Sequence, residues 1–121
     1  MSQSIFVLES DQWLGDHYQR TLEGQGYTVL RSDDPYEAMD MIDDHAPSAI
    51  IMSLLFNGAG GIGLLHELQS YVDTAKIPVI VCSGLPAVNL EELEPYGVKR
   101  LIDSTTMQPS DLTAAVRSVL A

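Results

Sequence analysis

The sequence has few basic residues, and this scarcity bears on what the protein binds. It has 6 Lys and Arg against 17 Asp and Glu, which gives a formal net charge of −11 at pH 7. A chain this acidic would be repelled by nucleic-acid phosphates over most of its surface. We therefore expect no direct contact with nucleic acid.

Long apolar runs and a second cysteine are also missing. No run approaches the roughly 20 residues that cross a bilayer, and no basic and apolar leader precedes Ile5. We therefore predict a cytoplasmic protein without membrane contact. The single cysteine, Cys82, has no partner for an internal disulfide and lies in an apolar run, where a small buried thiol is the usual role.

The pattern of apolar residues predicts one α/β domain over residues 1–121. A chain of 121 residues with 45% apolar content is long enough to bury a core of its own. Five short apolar runs alternate with helical patterns, which indicates parallel strands with helices on both faces. The predicted strands are residues 4–9, 27–31, 49–53, 79–83 and 99–103.

Apolar spacing and capping residues place the helices between these strands. In the first helix Leu14, Tyr18 and Leu22 recur at every fourth position, and the second has a start signal in Asp34 and Pro35. Two further helices have predicted inner stripes: Ile62, Leu65, Leu68 and Val72 in the third, and Leu112, Val116, Val119 and Leu120 in the last.

Polar side chains lie at or just beyond the carboxyl ends of four predicted strands. Sites in open parallel sheets form at the carboxyl ends of the strands, so we expect these residues to share one pocket. They are Glu9, Ser10, Asp11, Ser53, Ser83 and Ser104. The three histidines fall on the outer faces of predicted helices, so Ser53 has no neighbouring base and we predict no catalytic residue. We expect the Ser53 hydroxyl to bond nearby backbone.

Three segments carry a resemblance to a known family: IFVLESD at residues 5–11, PSAIIMSL at 47–54 and IPVIVCSG at 77–84. They resemble the receiver domain of bacterial two-component response regulators, and the resemblance runs from about Ser4 to Leu120. It implies a flavodoxin-like (βα)5 three-layer sandwich, with a five-stranded parallel sheet in the order 2-1-3-4-5.

The resemblance also assigns a role to each pocket position. In receivers an acidic pair and an acceptor Asp hold magnesium, and Thr or Ser with Lys binds the phosphoryl group. Here Glu9 and Ser10 match the acidic pair, Ser53 the acceptor, Ser83 the Thr or Ser, and Ser104 the Lys. The resemblance thus implies a degenerate pseudo-receiver without its phosphoacceptor, and we expect it to be no enzyme and to have no metal or cofactor.

Two neighbouring features have simpler interpretations. Asp11 is expected to be a solvated or capping acid at the start of the first helix. The glycine-rich loop at residues 57–61 is expected to form a tight turn before the third helix rather than a phosphate site.

The predicted function is protein–protein interaction in two-component-type signalling or regulation. The partner is a signalling protein, with a homodimer left open. The candidate interaction face comprises Leu90, Leu93, Tyr96, Lys99, Arg100 and Leu101, and Leu85, Val88 and Val116 extend it.

A small-ligand sensor that uses the former phosphorylation pocket is the alternative function. A cofactor-free enzyme is a third class, for which Glu9 and Asp11 beside the hydroxyls are the available groups.

Overall fold

The computed structural model describes residues 3–56, 59–85 and 88–120 and consists of a central sheet between helices. The strands are β1 Ser4–Leu8, β2 Thr28–Ser32, β3 Ala49–Met52, β4 Leu55–Phe56, β5 Ala59–Gly60, β6 Val79–Ser83 and β7 Val98–Asp103. The helices are α1 Gln12–Glu23, α2 Pro35–His45, α3 Gly61–Gln69, α4 Val72–Ala75, α5 Leu90–Leu93 and α6 Pro109–Leu120, and a 3₁₀ turn covers Glu94–Tyr96.

The five long strands form one parallel sheet in the order β2-β1-β3-β6-β7. Counted along the chain without the short β4 and β5, this is the order 2-1-3-4-5, so the predicted fold is confirmed. Each of the five predicted strands matches an observed one to within one residue at either end.

Alternating side chains divide the core into two layers. On one face of the sheet Phe6, Ile50 and Val81 pack against α2 and α3, and on the other Ile5, Ile51 and Ile80 pack against α1 and α6. Both faces are apolar because helices cover each of them, as is usual for a parallel sheet.

Helix starts and stops follow the predicted capping residues. Asp34 accepts a hydrogen bond from the Tyr36 amide at 2.9 Å, and Pro35 occupies the first turn of α2. The same helix ends at Ala46, whose φ of 44° is left-handed, and Pro47 follows. The start and the end of α2 therefore follow from local signals in the sequence, without reference to tertiary contacts.

The predicted inner stripe of the third helix is wrong at two positions. Val72 is 88% exposed and Ile62 is 39% exposed, whereas Leu64 is buried beside Leu65. The reason for Val72 is that α3 ends at Gln69 and α4 starts a new helix, so the four-residue spacing does not continue across the break.

A short antiparallel pair, β4 with β5, stands between β3 and α3 and was not predicted. Asn57 and Gly58 of the predicted turn lie outside the described residues. Gly61, at the end of that turn, packs closely: a Cβ there would lie 2.9 Å from the Leu54 Cα and 2.9 Å from the Ser53 carbonyl oxygen. Close backbone approach, rather than a left-handed φ, thus accounts for this glycine.

Within the described residues, no helix has both the length and the apolar character needed to cross a bilayer.

Candidate functional site

A cleft of about 380 Å³ opens at the carboxyl ends of β1, β3, β6 and β7. The six predicted pocket residues all line it. The full set is Glu9, Ser10, Asp11, Leu14, Ser53, Cys82, Ser83, Gly84, Leu85 and Ser104.

Backbone bonds just beyond the strands hold the polar residues at this edge. The Ser53 amide donates to the Leu8 carbonyl at 3.1 Å, and the Ser104 amide donates to the Ser83 carbonyl at 3.1 Å. Each bond continues the sheet ladder by one residue, so these side chains stand where the strands separate.

Glu9 is the buried carboxylate of the cleft, with 7% of its surface exposed. Its Oε2 accepts a hydrogen bond from the Asp11 amide at 3.2 Å. Burial raises the pKa of Glu9 above its ordinary value, the Asp11 amide offsets part of that effect, and the Asp11 charge adds to it. In the described part of the chain the one ion pair joins Arg31 and Asp16, so Glu9 lacks a cationic partner there.

Asp11 caps α1. Its Oδ1 accepts from the Trp13 amide at 2.9 Å and from the Leu14 amide at 3.2 Å. The carboxylate is exposed and satisfies two free amides of the first helical turn.

The four cleft serines differ in their hydrogen bonds. The Ser83 hydroxyl accepts from the Leu85 amide at 3.1 Å. Among the residues that the structure describes, no hydrogen bond to a protein group is found for the hydroxyls of Ser10, Ser53 and Ser104. The predicted bond from Ser53 to nearby backbone is therefore not found. Ser53 and Ser104 are half-buried and Ser10 is exposed, so water or a ligand can reach all three.

Cys82 forms part of the cleft floor. It is 2% exposed, and burial raises its pKa to about 12. Tyr18 packs in the same core layer, and burial raises its pKa as well. A thiol this far from ionisation is no nucleophile at neutral pH, so Cys82 has the predicted role of a core residue.

Sequence reasoning missed the apolar walls of the cleft, which are Leu14, Gly84 and Leu85. Leu14 is one turn beyond Asp11 in α1, and its four-residue spacing had placed it among core residues. Leu85 had been assigned to the interaction face; it is 39% exposed and lines the cleft. It lies two residues after Ser83, and this short spacing is the signal that could have placed it at the cleft.

The predicted interaction face needs correction at two positions. Leu93 is 4% exposed and packs under the sheet, and Val116 is fully buried in the opposite core layer. Both face the sheet from their helices and are unavailable to a partner. The rest of the predicted face is at least partly accessible: Val88, Leu90, Tyr96 and Leu101 are half-buried, and Lys99 and Arg100 are exposed.

Lys99 and Arg100 also border a basic depression of about 330 Å³ at the opposite, amino end of the sheet. A register shift between β6 and β7 pairs Val79 with Val98 and Ile80 with Arg100, which leaves Lys99 unpaired in the ladder. The depression is lined by Lys76, Pro78, Lys99, Arg100, Ser118 and Val119. Half of the chain's 6 basic residues thus gather at one place.

Comparison with known proteins connects this chain to response regulators. It is 28% identical over 89 residues to the response regulator MprA of Mycobacterium bovis (strain BCG / Pasteur 1173P2), which covers 74% of this chain and 38% of MprA. The chain therefore spans less than half the length of the curated relatives it matches. No family model matches it.

Solved structures agree on the fold. The chemotaxis response regulator CheY4 of Vibrio cholerae superposes with a TM-score of 0.88 at 15% identity, covering 99% of this chain and 100% of that one. The receiver domain of sensor histidine kinase PA1611 from Pseudomonas aeruginosa PAO1, solved with a magnesium ion coordinated in its active site cleft, gives 0.87 at 16% identity, covering 99% and 98%. The curated relatives are named as response regulators, and these structures show that the chain shares the fold of a receiver domain.

Proposed function

We propose that this protein is a pseudo-receiver, a receiver-like domain that binds a protein partner without being phosphorylated. The observation that supports this most is the composition of the cleft, where hydroxyls stand at Ser10, Ser53 and Ser104 and one carboxylate, Glu9, is buried. We propose a cytoplasmic, non-enzymatic role in two-component-type signalling.

The cleft residues do not fit a magnesium ion. A hard dication needs several anionic oxygens, but Ser10 and Ser53 are neutral and Asp11 is engaged as the cap of α1. Within the described residues no cluster of three or more His, Cys, Asp or Glu side chains has an arrangement suited to a metal.

The cleft residues do not fit a phosphoryl group either. Phosphoryl transfer needs positive charge around the phosphoryl oxygens, and neither Lys nor Arg lines the cleft. A phosphate on the Ser53 hydroxyl would be a stable ester rather than a labile acyl phosphate, so it would not serve the same switch.

The accessible part of the predicted face is the proposed docking surface: Leu90, Tyr96, Lys99, Arg100 and Leu101. The two cations are exposed in a chain of net charge −11, and Leu90, Tyr96 and Leu101 of the same predicted face are half-buried. Such a surface suits a partner that offers acidic groups around an apolar contact. A homodimer would have to overcome the repulsion between two strongly acidic chains, so we favour a different protein as the partner.

A ligand-sensing role is the second candidate, and two features of the cleft favour it. The hydroxyls of Ser10, Ser53 and Ser104 have free hydrogen-bonding capacity toward the cleft, and Glu9 lacks a cationic partner in the described chain. Burying a carboxylate without a cationic partner is costly, and a bound ligand could offset that cost.

Partner binding in the native host tests the proposal. Arg100→Glu should weaken cross-linking to the partner roughly tenfold, because a rim charge that is complementary becomes repulsive. Arg20→Glu, the same reversal at an exposed position of α1, is the matched control and should bind like the wild type. Binding should not respond to acetyl phosphate with magnesium. Equal losses from both reversals, or binding that requires the phosphodonor, would contradict the proposal.

A further inference from the structure

The cleft combines chemical groups that the proposed docking role does not use. Glu9 offers a buried carboxylate on the floor, with one oxygen bonded to the Asp11 amide. Around it are the hydroxyls of Ser10, Ser53 and Ser104, and Leu14 and Leu85 form apolar walls. The volume of about 380 Å³ falls within the range of roughly 300–1,000 Å³ that is usual for small-molecule pockets.

Charge decides which ligands are unsuitable. An anion would meet Glu9 and Asp11 with no cation in the cleft lining, in a chain of net charge −11. A hard dication would find one available carboxylate, since Asp11 caps α1. A neutral ligand would leave the buried Glu9 charge without a cationic partner.

An ammonium group meets each of these requirements. It carries one positive charge for the Glu9 carboxylate and three N–H donors, and the remaining donors match the oxygen atoms of the nearby hydroxyls. An apolar chain attached to it would lie against Leu14 and Leu85, which are both accessible from the cleft. A charge-assisted bond in a partly buried site is stronger than the same bond in water.

We propose that the cleft binds a small molecule with a primary ammonium group and an apolar chain, whose ammonium pairs with the Glu9 carboxylate. This inference deepens the ligand-sensing candidate above and rests on it. It names the chemical class of the ligand. The proposed site consists of cleft residues alone and does not include the docking surface.

Titration with three isosteric probes tests the ligand class. n-Butylammonium, n-butanol and n-butyrate are titrated at constant ionic strength, and binding is followed by calorimetry and by amide NMR shifts. We expect saturable binding of n-butylammonium, with shifts centred on Ser10, Ser53, Ser83 and Ser104, and no saturable binding of the other two. Equal binding of n-butanol would overturn the proposed ligand class and leave a sensing role for neutral ligands.

Two matched variants test the role of Glu9. Glu9→Gln should lower the affinity for n-butylammonium roughly tenfold or more, because a charge-assisted hydrogen bond is lost. Glu23→Gln makes the same change at an exposed position of α1 that does not line the cleft, so its affinity should change less than about threefold. The same loss in both variants would mean general attraction to an acidic surface and would overturn the site.

A third variant tests the site while leaving Glu9 in place. Ser104→Lys places an ammonium group of the protein itself in the cleft, where it should compete for Glu9 and abolish n-butylammonium binding. Undiminished binding would overturn the proposal. Tyr96 and Leu101 belong to the docking surface and report whether ligand binding reaches it. Binding that depends on Glu9 but shifts neither of their amide NMR signals would support the site and contradict the sensing function.

Discussion

Glu9 shows how one buried side chain makes stability depend on pH. Desolvation raises its folded pKa above the ordinary value of 4.5, because the charged form is disfavoured in the cleft. Between that value and the folded pKa, the folded protein binds more protons at Glu9 than the unfolded chain does. Its contribution to the free energy of unfolding therefore falls as pH rises through the folded pKa.

Replacing Glu9 by Gln isolates this contribution. Gln retains an oxygen for the Asp11 amide without the buried charge, so Glu9→Gln should raise the free energy of unfolding at pH 7 by about 1 kcal/mol. The gain should shrink as pH falls toward 4.5, since wild-type Glu9 then becomes neutral in the fold. Urea unfolding of both proteins across this range measures the difference. A variant less stable than wild type at pH 7 would show that the Glu9 charge is favourably compensated.

At the scale of an element, α3 shows that neighbouring glycines in one helix have different roles. Gly61 lies against the backbone of Ser53 and Leu54, where a Cβ would be only 2.9 Å from either residue. A Cβ at Gly63 would meet nothing within 4 Å. The first glycine thus sets how closely α3 approaches the segment that carries Ser53, and the second has no packing role.

Single alanine substitutions distinguish the two. Gly61→Ala should lower the free energy of unfolding by about 1–3 kcal/mol, because backbone must move to admit the methyl group. Gly63→Ala should raise it by about 0.5–1 kcal/mol, since alanine loses less conformational freedom in a helix. Chemical denaturation of both variants gives the comparison. A stabilising Gly61→Ala would mean that α3 is free to shift away from Ser53.

At the scale of the whole molecule, the fold presents an acidic cleft at one end of the sheet and a basic depression at the other. The sheet holds the cleft positions in place whichever side chains occupy them, because backbone bonds fix the strand ends. Receiver chemistry should therefore return in steps as the missing groups are restored.

Restoring the groups provides a graded test of the pseudo-receiver proposal. The wild type should keep its intact mass when treated with acetyl phosphate and magnesium. Ser10→Asp with Ser53→Asp should bind magnesium, because carboxylates return to positions that the fold already presents. Adding Ser104→Lys should increase phosphodonor labelling roughly tenfold or more over the double variant, because the phosphoryl oxygens gain a cation.

Magnesium titration and intact mass follow this series, and the double variant serves as the control for the triple one. A double variant without magnesium affinity would show that Ser10 and Ser53 are not presented together. A wild type that gained one phosphate would contradict the proposed loss of phosphotransfer.

The sequence by itself determined the five long strands, the start of α2 and the edge at which the polar residues meet. Strand runs, the Asp34 and Pro35 start signal and polar residues after the strands are local properties, and each was predictable because it depends on a few neighbouring side chains. The rule that parallel strands end at one edge then brought Glu9, Ser53 and Ser104 together without any distance being known.

Only the tertiary structure decided which side chains of a helical stripe are buried and what each cleft group bonds. Val72 and Leu93 have similar apolar character in the sequence, yet one is 88% exposed and the other 4%, because a helix break turns the first outward and the sheet covers the second. Asp11 is committed to the α1 cap, while Glu9, two residues earlier, is buried without a cation in the described chain. Burial and pairing depend on residues distant in the sequence, so local patterns do not determine them.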